Sequence, residues 1–273
     1  MKIVVLIKQV PETENLAIDE KTGTVIRSGV ESIVNPMDLY ALEAAFQLKS
    51  NSINTTITVI TMGPKSAEKS LREALSMGAD KAILLSDRQF AGSDTYATSI
   101  ILSKAVKTLD NFDLILCGEK ATDGDTGQVG PEIAIQLGIP IVSFVSHIKT
   151  SNSSLIFERI TESSFETMQA GFPVAATITK AVGEPRLPTL SGKKTAKLAI
   201  IQKLDFNDLN PDSDSIGIKG SPTRVVTITK PSIQRKSQIL TPKTEEEIEA
   251  AADKLIDFLA EKGLLQRNKK NAQ

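Results

Sequence analysis

The chain has 273 residues, 40% of them hydrophobic, with 32 basic against 33 acidic side chains and a formal net charge of -1. That length can bury a sizeable core, and the balanced charge offers no long-range attraction to nucleic acid or to an anionic membrane, so any charge-driven recognition must be local. One cysteine, Cys117, and one histidine, His147, exclude an internal disulfide and leave little for zinc or thiol catalysis; both lie in apolar runs and read as packed strand residues.

The N-terminal "KIVVLIK" is the first of five short runs rich in Val, Ile and Leu, followed by "NTTITVITM", "KAILLS", "FDLILC" and "PIVSFVSHI". Continuous apolar runs of this length predict strands buried on both faces. After the first strand, "NPMDLYALEAAFQLK" predicts a helix capped by Asn35, with Pro36 at its first position, Asp38 in its first turn and Leu39, Leu42 and Phe46 at helical spacing. A second helix starts near Ser66, puts Leu71, Ala74 and Leu75 on one face and stops at Gly78; a third, "DTYATSIILSKAVKTL", is capped by Asp94. Strand and helix alternating at this spacing predict βαβ units and a parallel sheet with helices on both faces, over about residues 1 to 145.

The pattern then changes. "SSLIFERITESSFETMQAGFPVAATIT" predicts two or three strands added antiparallel at the sheet edge. From "AVGEPRLPTLSGKKTAK" to "LNPDSDSIGIKGSPT" the abundance of Pro, Gly, Ser and charge predicts a loop-dominated stretch reaching out from the body. The C-terminal "TEEEIEAAADKLIDFLAEKG" predicts a helix with Thr244 and Glu247 as a capping box, an apolar stripe through Ile248, Ala251, Leu255 and Leu259, and Gly263 as its stop. The division expected is an α/β domain with edge strands over 1–180, a loop and irregular connection over 181–232, and a helical arm over 233–273 that packs at home or on a partner subunit. No run approaches the roughly 18 apolar residues of a membrane span, and a soluble cytoplasmic protein is expected.

In an open parallel sheet, ligands sit outside the carboxyl ends of the strands. Three such ends carry polar turns: "KQVPE", "TMGPKS" and "CGEKATDGDTGQVGP". In the last, Gly124, Gly127 and Gly130 let the backbone turn its N–H groups inward, and the helix beginning near Gln128 adds its positive end, giving an anion cradle. Thr126 and Gln128 can donate to a ligand, while Asp123 and Asp125 suit capping or ribose hydroxyls better than phosphate. The loop is neither a Walker sequence nor a G-x-G-x-x-G fingerprint. An ordinary connection eased by glycine is the alternative reading.

"NPMDLYALEAA", "TMGPKSAEKSLREALSMGADKAILL", "DLILCGEKATDGDTGQVGPEIA" and "EPRLPTLSGKKTAK", in that order and spacing, resemble the β subunit of electron transfer flavoproteins over nearly the whole chain. The resemblance implies an adenine-nucleotide-hydrolase-like (Rossmann-like) α/β fold and pairing with an α subunit. It implies that the loop wraps the phosphates of AMP or of a second FAD. The matching pocket positions are Leu6, Asn35, Pro36, Met37, Asp38, Met62, Asp123, Gly124, Asp125, Thr126, Gly127, Gln128, Val129 and Gly130.

"DGDTGQVGP" departs from the AMP-binding pattern at Gly124, Val129 and Pro131 and is similar to the electron-bifurcating branch, in which FAD exchanges a hydride with NADH. The flavin then carries the chemistry, and no side chain is assigned as catalytic acid or base. The basic stretch around Leu190 reads from composition as a solvated connection. The resemblance makes Leu190 an interface anchor, with Lys193, Lys194 and Lys197 as rim charges, for a flavin-dependent dehydrogenase acting on an acyl-CoA or a 2-hydroxy acid. A ferredoxin is among the candidate acceptors. Two other classes stand beside this reading. A nucleotide-binding sensor of the same fold needs neither partner nor flavin, and an adenylating enzyme would want a glycine-rich pyrophosphate loop after the first strand, which "IKQVPET" is not.

Overall fold

The apolar runs become the strands of one nine-stranded sheet: β1 (Lys2–Leu6), β2 (Thr56–Met62), β3 (Lys81–Leu85), β4 (Leu114–Gly118), β5 (Ile141–Ser151), β6 (Ser154–Ile160), β7 (Phe165–Gly171), β8 (Val174–Ile178) and β9 (Gln202–Leu204). Their order is β7-β6-β5-β8-β4-β1-β2-β3-β9. Every pair from β5 through β9 in that order is parallel, and β6 and β7 add antiparallel at one edge. The expected α/β fold, with a mostly parallel sheet and an antiparallel edge, is therefore the fold observed. The computed structural model describes residues 1–12, 18–19, 24–25, 31–51, 54–226 and 237–265.

Residues alternate across the sheet between two cores. Ile3, Val5 and Ile7 pack with α1 (Pro36–Ser50) and α2 (Glu68–Met77), whereas Val4 and Leu6 pack with α3 (Thr95–Lys107) and α4 (Val129–Leu137). The chain runs from β1 outward through β2 to β3, then returns to place β4 on the other side of β1. The strand order thus reverses between β1 and β4, and the carboxyl ends at such a reversal are the usual place for a ligand in sheets of this kind.

Three local readings are corrected. "VAATI" is not part of the edge addition: β8 lies between β4 and β5, parallel to both and buried at all five residues, as its small side chains allow. The stretch after Val182 is not loop-dominated, for it forms α5 (Leu190–Leu198), capped by the Thr189 side chain, and then β9 beside β3. Asn35 precedes α1 as expected, with Pro36 first, but its side chain makes no cap hydrogen bond. Its amide is engaged elsewhere.

The chain divides into two compact units, Met1–Ile228 and Thr229–Gln273. The second contains α6 (Glu245–Glu261), which has the expected capping box between Thr244 and Glu247 and a positive φ at Gly263. No residue of α6 is buried, and Ile248, Leu255, Ile256 and Phe258 are all exposed. No helix among the described residues is long and apolar enough to cross a membrane.

Candidate functional site

Two buried polar side chains at the start of α1 tie together the strand ends and the loop at the reversal. Asp38 Oδ2 accepts the Lys8 N–H at 2.7 Å and Oδ1 accepts the Gly118 N–H at 3.0 Å, so one carboxyl joins the ends of β1 and β4. Burial raises its pKa to about 7 against the opposing pull of these hydrogen bonds. Asn35, also buried, donates from Nδ2 to the Lys120 carbonyl at 2.9 Å and accepts the Thr122 N–H on Oδ1 at 3.2 Å. The amide thus shapes the loop after β4. Gly118 is needed for this closeness, because a Cβ there would sit 2.6 Å from both Asp38 Oδ1 and the Met37 carbonyl carbon.

The loop itself is laced by ion pairs, Lys8 Nζ to Asp123 at 2.6 Å and Lys120 Nζ to Asp125 at 2.7 Å. Its three glycines differ. Gly127 has φ +62°; Gly130 meets Cys117 and Thr177 where the first turn of α4 rests on the sheet; Gly124 has an ordinary φ, and a Cβ added to it would meet nothing within 4 Å. No side chain caps α4, and Gln128 occupies its cap position with Val129 first in the helix. Pro131 falls in that first turn, where its missing N–H costs nothing. Thr95, at the start of the adjacent α3, donates to Glu132 Oε1 at 3.1 Å, and burial, followed by the Asp94 charge, raises the Glu132 carboxyl.

A cleft of about 870 Å³ lies along the carboxyl ends of β1, β2 and β3 beside this loop. Met62 and Asp123 line it, together with Lys8, Lys65, Ser66, Arg88 and Phe90. The sequence-predicted residues thus fall into groups. Met62 and Asp123 face the cleft; Asn35 and Asp38 lie behind the loop and set its shape, with Pro36 and Met37 between them; Gly124, Asp125, Thr126, Gly127, Gln128, Val129 and Gly130 form the loop and the head of α4. Leu6 is buried with Ile60 in the second core.

Arg88 escapes the sequence reading, and Lys8, Gly118 and Lys120 fall within the strand-end stretches quoted there without being singled out. Their one signal is position, since each lies at or just after the end of a strand. Cys117 and His147 both lie in strands, and burial, reinforced by the Asp38 charge, pushes the thiol up to about 12.

The second predicted group lies on α5. Gly192 seats against the Ser76 carbonyl at the end of α2 and Ala196 is buried, while Leu190, Lys193, Lys194, Lys197 and Leu198 face outward. Arg72 Nη1 donates to the Ala196 carbonyl at 2.6 Å, tying the two helices together.

Fold and site define a doubly wound α/β protein with a polar cleft along the carboxyl ends of β1, β2 and β3. Residues 22–209 match the family model described as the electron transfer flavoprotein domain. The chain is 44% identical to an electron transfer flavoprotein subunit beta from Thermoanaerobacterium thermosaccharolyticum, over 93% of this chain and 98% of that one. It is 43% identical to one from Megasphaera elsdenii, over 98% and 99%. A caffeyl-CoA reductase-Etf complex subunit, CarD, from Acetobacterium woodii is 40% identical over 97% and 100%. The chain belongs to the electron transfer flavoprotein β-subunit family, and its role is electron transfer.

Proposed function

We propose that the chain is the β subunit of a heterodimer with an electron transfer flavoprotein α subunit, and that it holds FAD at the loop after β4 and the cleft beside it. The observation that carries this is the loop after β4: a glycine with open space around it at 124, a positive-φ glycine at 127 and an uncapped helix start at 128–129 favour close approach of a pyrophosphate to backbone N–H groups. The adjoining cleft of about 870 Å³ is of a size for a cofactor rather than a single small anion. A flavin bound there supplies hydride acceptance from NADH and one-electron release. The chain's own contribution is placement: Asn35 and Asp38 fix the loop, and Lys8 and Arg88 offer positive charge to phosphate or to a reduced ring.

Electrons would pass to or from a flavin-dependent dehydrogenase through α5, with Leu190 as the anchor and Lys193, Lys194 and Lys197 around it. The relative from Acetobacterium woodii, named for a caffeyl-CoA reductase complex, favours a partner acting on a CoA thioester over one acting on a 2-hydroxy acid. Bifurcation, with a ferredoxin as second acceptor, is the form of the reaction that the glycine-rich loop supports. Purification with the α subunit, followed by nucleotide extraction and an absorption spectrum, tests the reading. Two FAD per heterodimer and direct bleaching by NADH are expected; one FAD and one AMP without NADH reactivity would overturn it.

A further inference from the structure

Helix α1 serves two places. Its first turn sets the loop after β4, and further along, Glu43, Phe46 and Gln47 hold the segment that leads into α5. Gln47 Nε2 donates to the Val182 carbonyl at 3.2 Å. Glu43, only 6% exposed, accepts three hydrogen bonds from Arg186: from the backbone N–H at 3.0 Å, from Nε at 2.9 Å and from Nη2 at 2.9 Å. The guanidinium lies 4.8 Å from the centroid of the Phe46 ring. Burial alone would raise the Glu43 carboxyl, but the bonds and charge of Arg186 outweigh it and hold it below the usual glutamate value.

These contacts all fall at or just before residue 186, and the far end of the segment is fixed by Arg72 on the last carbonyls of α5. Between the two fixed points Leu187 and Leu190 are 85% and 82% exposed. Large apolar side chains held in water gain nothing for the fold. On a segment tied down at both ends, however, they reach a partner with most of their ordering entropy already lost.

We propose that the Glu43–Arg186 pair is a positioning device that presents Leu187 and Leu190 together to an apolar socket on the dehydrogenase, making Leu187 a second anchor. The inference rests on the docking reading given under the proposed function. A planar guanidinium suits the task because a lysine could not make the two-pronged contact and stack on Phe46.

The test uses the complete α/β complex with an acyl-CoA dehydrogenase and its acyl-CoA, a pair with which the wild-type complex exchanges electrons, and follows rate against dehydrogenase concentration. Leu187→Ala and Leu190→Ala examine docking; Glu43→Gln, Arg186→Lys and their double variant examine positioning. Each single variant is expected to raise KM for the dehydrogenase about fivefold to twentyfold with kcat and bound cofactor unchanged, as loss of an anchor would. The double variant should match the singles instead of multiplying them, since both remove one contact.

Amide exchange across residues 187–193 should quicken in Glu43→Gln, and if that variant folds poorly Arg186→Lys carries the test alone. Unchanged KM in Glu43→Gln and Arg186→Lys, beside raised KM in the leucine variants, would overturn positioning and leave docking standing. Unchanged KM in both leucine variants would overturn the docking reading itself.

Discussion

Gly124 and Gly127 in the loop after β4, and Gly130 in the first turn of α4, should respond to alanine in different ways, and the differences can be worked from their surroundings. At Gly124 a methyl group meets nothing within 4 Å and the backbone φ is ordinary, so the fold should change by less than about 0.5 kcal/mol. At Gly127 the φ of +62° puts an L-residue in the left-handed region at roughly 1 kcal/mol, with the Glu119 carbonyl at 3.2 Å. At Gly130 the new carbon would lie 2.6 Å from Cys117 Sγ and 3.0 Å from Thr177 Cγ2. The head of α4 would have to lift from β4 and β8, an overpacking cost of about 1–3 kcal/mol.

For a unit of this size each kcal/mol is about 2–4 °C in Tm. Thermal unfolding of nucleotide-stripped protein should therefore rank wild type with Gly124→Ala, then Gly127→Ala, then Gly130→Ala, with Cys117→Ala partly restoring the last. Nucleotide content should rank differently, because Gly124→Ala, harmless to the fold, removes the approach of backbone to phosphate and should lower occupancy directly. A Gly124→Ala protein as unstable as Gly130→Ala when stripped would refute the geometry, and one retaining full occupancy would refute the cradle.

Asp38→Asn turns one acceptor into an NH₂ group facing a backbone N–H and should cost about 1–3 kcal/mol at pH 5, read as a lowered Tm. Because the folded carboxyl titrates near 7 against an ordinary 3.8, the folded state holds a proton that the unfolded state has released across that interval. Its stabilisation is complete below about pH 4 and is lost as pH rises through 7, so the gap between wild type and Asp38→Asn should narrow from pH 5 to pH 7.5; a widening gap would reverse the sign of the argument. Leu255→Asp, on the exposed apolar stripe of α6, should weaken assembly with the α subunit by several kcal/mol, roughly the scale for an unpaired buried charge, with loss of co-elution in size exclusion. An unchanged elution profile at dilute concentration would remove α6 from the interface.

The parallel strands are legible because burial on both faces writes Val, Ile and Leu continuously into the sequence. What is not legible follows from the same physics. Helix α5 meets the body through Gly192 and Ala196, small residues that allow close approach and leave no apolar stripe to read. Strand β9 is three residues long, with Gln202 and Lys203 exposed. Strand β8 is central but small, so "VAATI" reads as a continuation of the polar hairpin before it. At the site, the loop's glycines and acids are visible as a cluster, yet Asn35 reads as a cap because capping is local, whereas its partners lie 85 and 87 residues away. Glu43 and Arg186, separated by 143 residues, leave no trace in any window.

The doubly wound topology itself accounts for Asp38. Where β1 and β4 run side by side but their following segments part, the N–H groups of Lys8 and Gly118 emerge with no strand partner at the switch point. An apolar residue at 38 would leave two donors unsatisfied at about 1–3 kcal/mol each, which outweighs the cost of a carboxyl able to take up a proton. The sheet reversal thus accounts for the acid, whose two oxygens both accept backbone N–H groups. On the outward side of the same strand ends, Lys8 and Asp123 line the cleft, and the proposed cofactor would meet them there. Lys8 is held there by Asp123 at 2.6 Å, and an incoming phosphate would compete with that carboxylate for the same ammonium. Asp123→Asn should for this reason tighten nucleotide binding, and should do so most at low salt, where the exposed ion pair is least screened; weaker binding would mean that Asp123 serves as a ligand contact and not as a competitor.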